Sequence, residues 1–360
     1  MANLWAISDL HVGHRGNEGV VDKVWPTSPD DWLILAGDVC ERTDQLDEVL
    51  TALAPRFEKV IWVPGNHELY TTSKDPMQVF GEARYDHLVE ICRHHGVLTP
   101  EDPFPVFDDP DDPETAPVAI VPMFLLYDYT FRDEGLTTLQ ALARAKEKSV
   151  VATDEFLLSP EPYATRDAWC RARLEYTRRR LAALPAGTRT VLVNHWPLRR
   201  EPTEVLFYPD FALWCGTVET ADWHRTYNAE AAVYGHLHIP RTTWYDGVRF
   251  EEVSVGYPRE WQERGLPEPL LRRILPAPAY TEESLGHYGV HFEVDPKYRD
   301  DPERFAAERA AAQERLSDRR VAARERIAER RAARESGAGP GRGGGPGDSG
   351  RAAREKESEK

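Results

Sequence analysis

The stretch "WAISDLHVGH", Trp5 to His14, decides how the rest of the chain reads. Trp5-Ala6-Ile7 looks like the end of a buried strand, and Asp9 and His11 follow at once. Alternate residues of an extended backbone point to one side, so these two side chains can reach a common point. Alone, a D-x-H pair is as ordinary as a helix cap beside a surface histidine. Its meaning depends on whether further ligand-type residues arrive in the same setting.

They do. "LILAGDVC" ends at Gly37-Asp38, "IWVPGNHELY" at Gly65-Asn66-His67-Glu68, "VLVNHWP" presents His195, and "VYGHLHIP" presents His236 and His238. Each is an apolar, β-branched run that stops at metal-competent side chains, with glycine nearby where backbone must turn sharply. "VAIVPMFLL" and "VRFEEVSVG" are runs of the same kind, and helix-like stretches such as Gln45–Leu53 and Val79–Arg93 separate several of them. Strands alternating with helices predict an α/β protein with a layered sheet core. In "WYDGVRF", Asp246-Gly247 predicts a tight hairpin near the end of the fold.

In a layered α/β sheet, the strand ends on one side form a rim where ligands bind. Asp9, His11, Asp38, Asn66, His195, His236 and His238 supply seven nitrogen or oxygen donors. That exceeds the four taken by one tetrahedral zinc. If one carboxylate bridges, the set serves two ions, and Asp38, with two oxygens, is the natural bridge. Imidazole, carboxylate and amide donors without thiolate suit Mn, Fe or Zn.

Composition narrows the function. The chain has 360 residues and a formal charge of −16, with 41% apolar residues. After residue 299 stand fifteen Lys or Arg and thirteen Asp or Glu, leaving −18 on residues 1–299. So acidic a body argues against a nucleic-acid binder, which needs a basic face. Cys40, Cys92, Cys170 and Cys215 are widely spaced and read as reduced structural residues. No apolar run approaches the roughly 20 residues needed to span a bilayer, and no leader precedes Trp5, so a soluble cytoplasmic protein is expected. Residues 128–185 read as a mostly helical insert between core strands, and residues 199–224, rich in Pro, aromatics and Arg, as a long loop. From residue 300 the Ala/Arg/Glu-rich sequence predicts a solvated helix followed by a disordered Gly-rich end.

The order D-x-H, G-D, G-N-H-E, a strand-end His and G-H-x-H, from Asp9 to His238, resembles the calcineurin-like metallophosphoesterase superfamily. The resemblance implies a four-layer fold, a two-sheet β-sandwich flanked by helices, over residues 1–299. It implies one metal held by Asp9, His11, Asp38 and His238, and a second by Asp38, Asn66, His195 and His236. It gives His67 the role of proton donor to the leaving group. Two ions about 3.5–4 Å apart clamp phosphate oxygens and lower the pKa of a bridging water. His14 reads as a surface imidazole on the loop after the strand, and Glu68 either orients a neighbour or starts a helix.

"DPMQVFGEARYD", "VATDEFLLSPEPYATRDAWC" and "VYGHLHIPRTTWYDGVRFEEVSVGYPREW" further resemble the actinobacterial phosphopantetheine hydrolases of that superfamily. This implies a holo acyl or peptidyl carrier protein as substrate, cut at the serine–phosphate ester to leave the apo form. Such a substrate is acidic, so a basic approach to the metals is expected, with Arg199, Arg200, Arg225, Arg241 and Arg259 in the loops after the metal-bearing strands as candidates. Tyr163, Trp169, Tyr208, Phe211, Trp214 and Trp223 are candidates to line a slot for the pantetheine arm. Two other functions stay open at this level. One is a small-molecule, nucleotide-type phosphodiesterase or phosphomonoesterase. The other is a non-catalytic metal-binding scaffold, which the retained His67 disfavours.

Overall fold

Apolar alternation along the first strands divides two hydrophobic layers. In "LWAI" and "WLIL", Leu4, Ala6, Trp32 and Ile34 face one cluster, while Ile7, Leu33 and Leu35 face another. Strands buried on both faces read as unbroken hydrophobic runs, as parallel strands inside a layered protein do. The computed structural model describes residues 2–108, 117–262, 265–266 and 269–279. The expected tail helix and Gly-rich end lie outside the described residues.

Among the described residues ten strands build two mixed sheets. The first holds β1 (Leu4–Ile7), β2 (Trp32–Leu35) and β3 (Lys59–Trp62) in parallel, with a late strand antiparallel to β1. The second holds β4 (Val106–Phe107), β5 (Val118–Pro122), β6 (Arg189–Val193), β7 (Ala229–Tyr234), β8 (Arg241–Tyr245) and β9 (Val248–Glu252), in the order β4-β5-β6-β7-β9-β8. The late strand, β10 (Arg272–Leu275), completes the first sheet as β10-β1-β2-β3. Within the second sheet β5, β6, β7 and β9 run parallel, and the edges β4 and β8 antiparallel. The layer between the sheets contains Ala6, Ile34 and Ile61 from one and Ile120, Val191 and Val233 from the other. Burial of each such aliphatic side chain contributes about 1.5–3 kcal/mol.

The other faces are covered by helices. Among the described residues these are α1 (Thr43–Leu53), α2 (Gly81–His94), α3 (Thr138–Glu147), α4 (Asp154–Leu157), α5 (Arg166–Ala182), α6 (Trp223–Thr226) and α7 (Pro258–Trp261). Leu46, Val49, Leu50 and Leu53 of α1 recur at helical spacing and join Leu33 and Leu35 in one cluster. Helices α3, α4 and α5 stand between β5 and β6, in the stretch expected as an insert. The hairpin β8–β9 turns at Asp246 (φ 53°) and Gly247 (φ 80°), the two left-handed positions that a twisted two-residue hairpin demands.

One expectation needs correction and one strand was not foreseen. Residues 199–224 are not an open loop. They fold into 3-10 turns at Glu201–Val205, Pro209–Trp214 and Val218–Thr220, because Leu206, Leu213, Trp214 and Cys215 are buried and the chain must follow them inward. The strand β10 had no expectation at all. Its Arg272 and Arg273 interrupt the apolar pattern, since this edge strand is half-exposed at that end.

Candidate metal centre

Parallel topology places the C-terminal ends of β1, β2, β3, β6, β7 and β9 along one rim. A parallel bridge between Ser8 and Ser254 joins the end of the first sheet to that of the second. Backbone hydrogen bonds tie the loops together: Asp9 N–H to Gly37 O (2.9 Å), His11 N–H to Asp38 O (3.0 Å), Gly235 N–H to His195 O (2.9 Å) and Gly256 N–H to Asp9 O (3.0 Å).

All seven candidate donors meet there. Asp9, His11, Asp38 and His238 form one group and Asp38, His195 and His236 a second, each with its donor atoms within 4.8 Å of one another. Asp38 belongs to both. Asn66 joins the second group with its Oδ1 3.1 Å from His236 Nδ1. Among the described residues nine non-glycine positions adopt left-handed backbone, and five are candidate ligands: Asp9, His11, Asp38, His236 and His238. This conformation is unfavourable for a side-chain-bearing residue, and its concentration at one place marks a site the fold enforces. Backbone also approaches the carboxylates too closely for any side chain: a Cβ on Gly65 would fall 2.1 Å from Asp38 Oδ1, and one on Gly235 2.2 Å from Asp9 Oδ2.

The donor set fits metal ions. His195 Nε2, 3.4 Å from Asp38 Oδ2, is buried without a hydrogen-bond partner, an expensive state unless a cation takes the lone pair. His11 Nε2 and His238 Nε2 face each other at 3.2 Å, an arrangement suited to two ligands of one ion. Outer partners hold the ligands in register. His195 Nδ1–H donates to Ala36 O (2.9 Å), His238 Nδ1–H to Glu260 Oε2 (2.7 Å), and Ser254 Oγ–H to Asp9 Oδ2 (2.9 Å).

Electrostatics follow from this crowding. Burial works to raise Asp9 and Asp38, but the histidines around them, His238 and His195 first for Asp9 and His195 and His67 for Asp38, hold both carboxyls below the usual range. Burial likewise opposes charge on His195, yet Asp38 and Asp9 push it up to about 9. His236 is driven down to about 3 by burial and by the charge of His195.

His67 stands beside the donors with Nε2 3.9 Å from Asp38 Oδ2. Its Nδ1 lies 3.0 Å from Glu41 Oε1, and its Nε2 3.2 Å from Tyr257 Oη. Burial disfavours its charged form, but Asp38 and the hydrogen bond to Glu41 raise its pKa above the ordinary histidine value. Tyr257 also stacks on His11, with ring centroids 4.4 Å apart. His14, whose side chain is 41% exposed, packs edge-on to His11 and lies 3.3 Å from Glu41, so this half-exposed imidazole sits on the rim of the site. Glu68 starts no helix. Its carboxylate accepts N–H bonds from Asp38 (2.9 Å), Gly65 (2.9 Å) and Val39 (2.6 Å), and burial with the nearby Asp38 charge pushes it up to about 7.

The five arginines do not gather into one basic patch. Arg241 is buried and donates to Pro202 O; Arg199 pairs with Glu201 and Asp246, Arg225 with Asp246, and Arg200 with Asp133. Only Arg259 adjoins the centre, with its guanidinium 5.0 Å from the Tyr257 ring and its side chain 78% exposed. Nor do the six aromatics form one slot. Trp169, Trp214 and Trp223 are core residues, and Tyr163 stacks on Trp169. Phe211 alone of the six stacks on a candidate ligand, His236, at 5.6 Å. Sequence reading missed Glu41, Tyr70, Asp154, Tyr257 and Glu260. Their one local signal is nearness to the motifs, with Glu41 three residues after Asp38 and Tyr70 four after Asn66.

Two mixed sheets that carry a paired Asp/His/Asn cluster on one rim, with a histidine held beside it, define a metallophosphoesterase. Residues 2–240 match the calcineurin-like phosphoesterase family, and the chain belongs to it. Members of this family bind two metal ions. The chain is 61% identical over 303 residues to the [acyl-carrier-protein] phosphodiesterase PptH of Mycobacterium tuberculosis, covering 84% of this chain and 92% of that protein. It is also similar to the crystal structure of phosphopantetheinyl hydrolase (PptH) from the same organism, with a TM-score of 0.75 and 63% identity over 78% of this chain and 98% of that one. No helix among the described residues is long and apolar enough to cross a membrane.

Proposed function

We propose that this chain hydrolyses the phosphodiester that joins the phosphopantetheine arm to a serine of a holo acyl or peptidyl carrier protein, releasing the apo protein. The observation that carries this is the 61% identity to an [acyl-carrier-protein] phosphodiesterase along 92% of that protein, in a chain with every candidate donor and His67 in place. Asp9, His11, Asp38 and His238 would hold one ion, and Asp38, Asn66, His195 and His236 the other. Their donor chemistry supports Mn or Fe, and Zn also fits. Ions held by these residues would supply charge neutralisation at the phosphate and a lowered pKa for the attacking water.

The chain's own residues do the rest. As water adds to phosphorus, the bond to the serine oxygen breaks, and that oxygen needs a proton. Glu41 fixes Nδ1 of His67, so Nε2 faces the reacting group as proton donor; Tyr257 steadies the same nitrogen. Arg259 is the arginine we assign to substrate contact. The catalytic part is assigned to residues 1–299, and the setting to the cytoplasm, which the four free buried cysteines support.

Incubation of the enzyme and Mn²⁺ with a holo carrier protein, followed by intact-mass measurement, tests the reading. Metal-dependent loss of the whole phosphopantetheine mass, absent with chelator and in His67→Ala, is expected. An unchanged holo mass beside fast hydrolysis of small phosphodiesters would overturn the carrier-protein assignment and point to a small-molecule substrate.

A further inference from the structure

Asn66 is the single candidate ligand whose donor atom depends on which way an amide is turned. Its Nδ2 donates one N–H to Tyr70 Oη (2.9 Å) and the other to Asp154 Oδ1 (3.0 Å). An amide NH₂ has two protons, and both are then committed. Oδ1 is left as the atom facing the second donor group, 3.1 Å from His236 Nδ1. Tyr70 Oη–H donates in turn to the same Asp154 oxygen, closing a three-membered clamp.

Asp154 reaches this place from far along the chain. It begins α4, between β5 and β6, and is 1% exposed. The helix is itself anchored: Arg166 donates to Asp154 O (2.7 Å) and Glu155 Oε2 (3.1 Å), Trp214 Nε1–H to Glu155 Oε1 (2.8 Å), and Tyr129 Oη–H to the same oxygen (3.0 Å). Asp154 Oδ2 makes no well-formed hydrogen bond, although the buried Tyr127 hydroxyl interacts with the carboxylate. A buried carboxylate with one poorly satisfied oxygen lowers stability, so a purely structural position would favour another residue.

We infer that Asp154 and Tyr70 are positioning residues that lock the Asn66 amide with its oxygen toward the second metal position, so that the α3–α5 insert completes the metal centre. This rests on Asn66 being a ligand, and the test separates the two claims.

Mn²⁺ is titrated into chelator-stripped full-length enzyme and into Asn66→Ala, Asp154→Leu, Asp154→Asn and Tyr70→Phe, with calorimetric readout of stoichiometry and affinity. Near-ultraviolet circular dichroism reports the fold of each metal-free variant. Loss of an outer partner typically weakens metal binding about 10–100-fold. Asp154→Leu is expected to weaken one of the two Mn²⁺ equivalents by about that factor, and Tyr70→Phe by about the lower figure. Asp154→Asn keeps an acceptor oxygen toward Asn66 and Tyr70, and is expected to restore near-normal binding.

Normal binding in Asn66→Ala would remove the ligand assignment itself. Weakening in Asn66→Ala with normal binding in folded Asp154→Leu would overturn the inference alone. So would Asp154→Asn binding as poorly as Asp154→Leu, since charge rather than amide orientation would then be what matters. If Asp154→Leu does not fold, Tyr70→Phe decides: normal binding of both equivalents refutes the clamp.

Discussion

Replacing Glu68 by glutamine changes one atom and strikes the backbone that presents the bridging carboxylate. Glu68 Oε2 accepts from the N–H groups of Asp38 and Gly65, and Oε1 from Val39. Glutamine retains one acceptor. Its oxygen satisfies the two-donor position best, which leaves its NH₂ against the Val39 N–H. Left without an acceptor, the buried Val39 N–H costs about 2 kcal/mol. That is a sizeable share of the roughly 5–15 kcal/mol that holds a domain together. At about 2 °C per kcal/mol for a catalytic unit of this size, melting should fall by about 4 °C. The assay is thermal unfolding of metal-free wild type and Glu68→Gln at pH 6, below the Glu68 value of about 7, where burial holds the wild-type carboxyl largely neutral and no loss of charge enters the comparison. The left-handed backbone at Asp38 loses support in the same step, so Mn²⁺ affinity should fall too. A melting point within 2 °C of wild type, with unchanged Mn²⁺ affinity, would refute the reasoning that Glu68 builds this corner.

Three further outcomes are expected. His67→Ala should lower kcat on a carrier-protein ester by about 10²–10⁴-fold, but far less on a p-nitrophenyl diester, whose leaving group needs no proton; equal losses on both would sink the proton-donor role. Gly65→Ala puts a Cβ 2.1 Å from Asp38 Oδ1 and 2.5 Å from Asp38 N, so the loop must shift and Mn²⁺ binding should collapse, with overpacking costing about 1–3 kcal/mol of stability; wild-type Mn²⁺ binding would contradict this. Metal ligation needs a free imidazole nitrogen, and His195 of the metal-free protein, raised to about 9, is protonated at pH 7. Binding must therefore expel a proton from His195, and also from His238, which Asp9 and Glu260 hold well above the ordinary histidine value, so Mn²⁺ affinity should rise as pH climbs above 7. Calorimetry at pH 7 in buffers of different ionisation enthalpy measures the release, and none detected would exclude that protonation state.

Much of this was legible locally. Each of the seven candidate donors follows an apolar run that becomes a strand, so the motif and the secondary structure that presents it occupy the same ten or so residues. The hairpin at Asp246-Gly247 was equally local, because its left-handed turn depends on two residues. The arginines and aromatics were not legible. Arg241 and Trp169 carry the residue types of a binding surface, and only packing makes one a buried partner of a carbonyl and the other core.

The sequence by itself therefore determined the α/β architecture, the set of candidate donors and the histidine beside it, since strand ends in a parallel sheet are brought to one rim by topology alone. Only the tertiary structure decided how those residues are aimed: Glu41 on His67, Tyr257 across 190 residues to the same ring, and Asp154 across 88 to Asn66. The physical reason is one of range. A strand-end ligand is specified by its neighbours in the chain. A residue that orients it is specified by a hydrogen bond between distant segments, and no periodicity or spacing in the sequence records that bond.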